Sequence, residues 1–144
     1  MLSQPVVDLL KTLTTAGVAD FKKVAGAASF VAAQEDLKNP PVAYVMPLGD
    51  VAMPNALIGY SVEQRVNERF AVILAIRNLR DVRGDAVNAD LELLRGKVIA
   101  SLLGFVPAVG YNPICYGGGR ILQLDVSTLW WQLEFTTAYY ERKV

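Results

Sequence analysis

The chain has no histidine among its 144 residues. That absence removes the commonest general base, the Ser-His and Cys-His nucleophile pairs and most zinc sites together. The single cysteine, Cys115, lies between Ile114 and Tyr116 with no cation beside it. A thiol so placed is expected to be a small buried hydrophobe rather than a nucleophile. One cysteine forms no internal disulfide, which points to folding in a reducing compartment. Gly117-Gly118-Gly119 has the composition of a phosphate loop, but Arg120 and a strand pattern follow where a Lys and a helix N-terminus are needed. The triplet is expected to form a flexible turn. Glu63 and Glu68 fall on opposite faces of an alternating stretch, so they are no acid–base dyad. Asp81, Asp85 and Asp90 suit helix capping better than calcium. No residue is assigned to catalysis, to a cofactor or to a metal.

The elements that must carry any function centre on Tyr60 to Arg77, YSVEQRVNERFAVILAIR. Val62, Gln64, Val66, Glu68 and Phe70 point one way there, and Glu63, Arg65, Asn67 and Arg69 the other. A period of two marks a strand with one wet face. From Phe70 the run FAVILAI is apolar on both faces, as in a central strand covered on both sides. This strand is therefore expected to leave the domain at its Tyr60 end, offering a surface for something else to pair with.

Before it, Ser3 and Pro5 open a helix with Val6, Leu9, Leu10 and Leu13 on one side, and Gly17 is available to end it. Phe21 to Val24 is strand-like, and Ser29 caps a short helix that Asn39-Pro40-Pro41 breaks. Val42 to Leu48 is a strand whose Pro47 places its end at an edge or bulge. Gly49 to Gly59 carries Val51, Met53, Leu57 and Ile58, too apolar for a purely solvated loop. It either folds back over the core or docks on a partner. After a polar turn, Asp85 caps a helix to about Leu103 with a stripe of Val87, Leu91, Leu94, Val98 and Leu102. Gly104 and Pro107 stop it. Residues 106–114 cross irregularly, and Ile121–Val126 and Leu129–Tyr139 form closing strands. Trp130 and Trp131 must face opposite ways, one into the core and the other, with Tyr140, toward solvent or a neighbour. The fold class is α+β: a mostly antiparallel sheet with two main helices packed on it, as a single domain over residues 1–144.

Length and composition agree. A chain of 15.7 kDa buries about two thirds of its unfolded surface and needs no metal or disulfide staple. Its residues are 53% hydrophobic and 19% charged, against an average charged share of about 25%, which points to buried subunit contacts. FAVILAI is far short of the roughly 20 residues that span a bilayer. The N-terminus, with Asp8 and no basic opening, does not read as a signal peptide. Net charge is zero and no basic stripe exists, which leaves little to hold a phosphate backbone.

The order FKKVAGAASFVAAQ, PPVAYVMPLGD, VEQRVNERFAVILAI, ADLELLRGKVIASLLGFVP, NPICYGGGRI and LWWQLEFTTAYY resembles the tail terminator proteins of tailed bacteriophages, from about Phe21 to Tyr140. The most specific pieces are Pro41 through Pro47, LLGFVP, CYGGGRI and LWWQLEF. The resemblance implies a structural virion protein of the tail and neck, assembled in the host cytoplasm. Its members form a homohexameric ring on the head-proximal end of the tail tube. The ring ends tube growth and joins the neck or head-completion protein, while DNA passes through the lumen without sequence-specific binding. No cofactor, membrane or enzymatic activity is implied. From the strand pattern alone, and not from the resemblance, subunit or tube contacts are expected on Val51, Met53, Asn55 and Leu57 of the loop, on Arg65, Asn67 and Arg69 of the strand, and on Trp130 and Tyr140; the alternative for the arginines is a solvated strand face. The alternatives are another neck or tube protein, or a small ligand-binding domain using a pocket between sheet and helices.

Overall fold

In a computed structural model of the chain, residues 3–30, 40–77, 85–124 and 128–144 are described, those at 85–88 by their backbone alone. Outside them lie most of the short helix begun at Ser29, Asn39, the polar turn with Asp81, and Val126; the side chains of Asp85 and Val87 are also undescribed. The elements are α1 (Ser3–Lys11), β1 (Thr14–Thr15), β2 (Val18–Ala19), β3 (Lys23–Gly26), β4 (Val42–Ala52), β5 (Val62–Arg77), α2 (Asp85–Leu102), β6 (Cys115–Leu124) and β7 (Thr128–Lys143). Five strands form one sheet in the order β3-β4-β5-β7-β6, parallel between β3 and β4 and antiparallel elsewhere. The class is α+β, as the sequence pattern requires.

β5 is central because its FAVILAI half is apolar on both faces. Phe70, Val72, Leu74 and Ile76 meet Val6, Val7 and Leu10 of α1 and Leu91, Leu94, Val98 and Leu102 of α2. Ala71, Ile73 and Ala75 face a second cluster with Tyr44, Trp130 and Phe30, the last within helical residues 27–30. Helical residues therefore already run from 27, so Ser29 lies inside that turn rather than capping it. α2 stops where Gly104 turns to φ +83° and donates to Ile114 O at 2.8 Å instead of extending the helix.

Three further expectations need correcting. α1 ends at Lys11, not Gly17; Ala16 and Gly17, at φ +52° and +81°, instead form the two-residue turn of the β1–β2 hairpin. The glycine triplet is not a turn but part of β6, bulged between Tyr116 and Gly118. A Cβ on Gly119 would stand 2.9 Å from Trp131 Nε1 and from Tyr116 Oη, so the glycine lets β6 approach its neighbours. Cys115, expected inside, starts the edge strand β6 and is exposed, its thiol 3.8 Å from Pro113 O. Of the two readings left open for residues 49–59, folding back over the core does not hold: residues 49–52 extend β4, and Val51, Met53, Leu57 and Ile58 are exposed.

The β1–β2 hairpin is tied to α2 by Lys97, whose Nζ donates to Asp20 Oδ2 at 2.8 Å, to Thr14 O at 3.1 Å and to Thr15 Oγ1. Thr15 Oγ1 donates to Asp20 Oδ1 at 2.7 Å. Burial alone pushes the Asp20 pKa up, but the hydrogen bonds from Lys97 and Thr15 and the Lys97 charge outweigh it, holding the carboxyl below 3.8. The ionised carboxylate therefore favours the fold above the ordinary pKa, and that contribution is lost as pH falls through the depressed one. Asp20→Asn is expected to lower the unfolding free energy by about 1–2 kcal/mol at pH 7. Urea midpoints of variant and wild type should converge below pH 3.8. A gap that persists there would mean that packing, not charge, holds the hairpin.

Candidate functional site

Beyond Phe70 and Phe135 the sheet loses its outer strands. β3 pairs β4 only as far as Val45, and β6 reaches β7 only to Thr136. What continues is a three-stranded arm made of residues 47–52 of β4, 62–69 of β5 and 136–143 of β7. β5 and β7 stay in unbroken register from Arg77↔Thr128 to Val62↔Lys143. β4 joins through a bulge between Pro47 and Gly49, as the missing N–H of Pro47 predicts. Gln64 Nε2 donates to Met53 O at 3.0 Å, and Met53 N to Arg65 O at 2.7 Å, carrying the pairing beyond Ala52. Asn55 closes the tip: its Nδ2 donates to Ser61 O at 3.0 Å, and its Oδ1 accepts from Leu57 N at 3.1 Å and Glu63 N at 2.9 Å. At that tip Ile58 and Tyr60 are 99% and 104% exposed.

Register assigns each arm residue to a face. Arg65 lies opposite Tyr140, Asn67 lies between Val51 and Ala138, and Arg69 lies opposite Thr136. Val51 and Tyr140, taken from other stretches of the sequence, thus share one face with Arg65, Asn67 and Arg69. Arg69 Nε pairs with Glu134 Oε1 at 2.6 Å, and Arg142 Nε with Glu63 Oε2 at 3.5 Å. The Arg142 guanidinium lies 5.0 Å from the Tyr140 ring centroid. Arg65 Nε reaches only the neutral Asn67 Oδ1, at 3.0 Å, leaving its charge unbalanced on this face among the described residues. Trp130 does not join this surface. It is 5% exposed, with its ring 5.8 Å from Phe30 and 6.5 Å from Tyr44, and so is the core member of the tryptophan pair. Asn55 spends its amide on the tip turn.

The opposite face was not anticipated. There Asp50 lies across from Glu68, and Glu68 from Thr137; Val66 lies across from Tyr139, and Gln64 from Glu141. The 105–114 crossing covers part of it: Thr137 Oγ1 donates to Asn112 O at 2.8 Å, Asn112 N donates to Ala138 O at 2.8 Å, and Tyr111 packs 5.1 Å from Tyr139. Burial first, then Glu141, Glu68 and Asp50, raise the Tyr139 pKa; burial, Glu68 and Glu141 raise that of Tyr111. Three carboxylates and two tyrosines thus share a face. The alternation in β7 places Tyr139 and Glu141 on the core side, but only register reveals Asp50 beside them.

Among the described residues no group of three or more Cys, Asp or Glu is placed to hold a metal ion, and no helix is long and apolar enough to cross a membrane. The search of curated proteins found no match. A family model described as phage tail terminator protein matches residues 4–143.

Proposed function

The chain belongs to the phage tail terminator family and has a structural role in the phage tail; from that premise we propose that it forms a six-membered ring on the head-proximal end of the tail tube. The ring ends tube polymerisation and offers its free side to the neck or head-completion protein. The observation that carries this reading is the arm, a projection that exposes Val51, Arg65, Arg69 and Tyr140 on one face and Ile58 and Tyr60 at its tip. A domain gains nothing by itself from such a surface, and subunit contacts are its physical use. The zero net charge suits a lumen through which DNA slides without being held or read. Tube protein, neck protein and further copies of the chain are the partners, and assembly takes place in the host cytoplasm before the particle is complete.

Electron microscopy of particles made without the chain tests the reading. Overlong or unjoined tails beside filled heads are expected. Tails of normal length, joined to heads, would overturn it. Purified chain that polymerises into long tubes would reassign it to the tube itself.

A further inference from the structure

The two faces of the arm differ in sign. On one, Arg69 and Arg142 are each paired with a carboxylate, and Arg65 is left with only Asn67. On the other, Asp50 and Glu141 are exposed and have no salt-bridge partner among the described residues. Glu68 lies beneath them, and Lys143 stands only at the far end, opposite Val62. We propose that these faces bind each other between copies: the Arg65 face of one protomer packs on the Asp50–Glu141 face of the next. This rests on the ring reading above and deepens it by naming the contact.

The partner is a second copy because the chain itself presents both halves of the complementary charge. Since the halves lie on opposite faces, a two-fold pair would set like against like, whereas a head-to-tail contact joins unlike faces and can close into a ring. Val51 and Met53, with Tyr140, surround Arg65 and are partly or largely exposed. Met, Tyr and Arg are residue types enriched where interfaces are fully buried. Across the gap, Tyr139 and Tyr111 offer rings beside the carboxylates for a guanidinium to lie on. Pairing along the arm's β4 edge is a poorer route. Pro47 has no N–H to give, the Pro47–Gly49 bulge twists the edge, and Asp50 charges it. The contact proposed is therefore face on face rather than strand addition at β4.

Charge exchange tests this. Phage lacking the chain would be supplied with wild type, Arg65→Glu, Asp50→Arg or the double variant. Rings on tail ends and joined particles would be counted by electron microscopy. Each single reversal sets like charges together in every contact and should lower both counts by roughly tenfold or more. Arg65→Gln should lower them less. The double variant restores attraction with its sense reversed and should recover most of the count. Melting temperatures should stay near wild type, since both residues are exposed and outside the core clusters; should Arg65→Glu fail to fold, the Arg65→Gln and Asp50→Asn counts decide. Single variants that ring and join normally would overturn the contact while leaving the ring reading standing. Folded single variants that fail without rescue in the double would also overturn it, assigning the two faces to different partners. Wild type without rings on its tails would overturn the ring reading, and the contact with it.

Discussion

Phe135→Ala is expected to lower the unfolding free energy by about 3–5 kcal/mol, a large share of the stability of a domain this size. Phe135 is fully buried, and its ring lies 5.5 Å from both Phe70 and Tyr116. It stands opposite Phe70 in β5 and Tyr116 in β6, so its loss empties one layer across three adjacent strands. A cavity there is bounded by paired backbone and cannot readily collapse. It also lies where the arm leaves the core, so, on the ring reading proposed above, the variant should lose tail joining at temperatures where wild type still joins. Urea unfolding checks the first claim. A loss below about 1 kcal/mol would mean that the layer repacks and is not the keystone of the sheet.

Gly119→Val is expected to destabilise by about 1–3 kcal/mol, through crowding rather than through a cavity. The added Cβ would meet Trp131 Nε1 and Tyr116 Oη at 2.9 Å and Gln132 O at 3.3 Å. The first atom belongs to a rigid indole and the last to the backbone of the paired strand, so neither yields cheaply. Only Tyr116 can swing away, and it would forfeit its 3.3 Å hydrogen bond from Arg95 Nη2. Gly26→Ala is the control: its Cβ would enter open space, and its φ lies outside the left-handed region. Equal urea midpoints for Gly119→Val and wild type would show that β6 does not need a glycine there.

The central strand was legible because its two halves obey different periods, and each period has one physical meaning. The stripe on α2 was legible for the same reason: Leu91, Leu94, Val98 and Leu102 are all buried. The β1–β2 hairpin was missed because it has two residues per strand and its turn residue Ala16 carries no turn signature. The glycine triplet misled because glycine signals freedom in a turn and close approach in a strand with the same letter. Trp130 and Trp131 could be set on opposite faces, but both faces are covered there: Trp131 packs against the helix-covered core, and Trp130 is buried under Phe30, distant in sequence. The arm's cationic face followed from alternation within β5 alone. Its acidic face did not, because it is assembled by register from β4, β5 and β7.

The unbroken β5–β7 register has a mechanical consequence. Sixteen residues of each strand, about 50 Å at a strand's rise, run from beneath both helices to the end of the arm. Both strands that flank the central pair carry bulges, β4 at Pro47–Gly49 and β6 at Tyr116–Gly118 and Ile121–Gln123, but the central pair carries none. The arm is thus a cantilever with no hinge at its root. A load on its tip is not absorbed locally by a loop. It bends the central pair as one beam and is delivered to the helix-packed core.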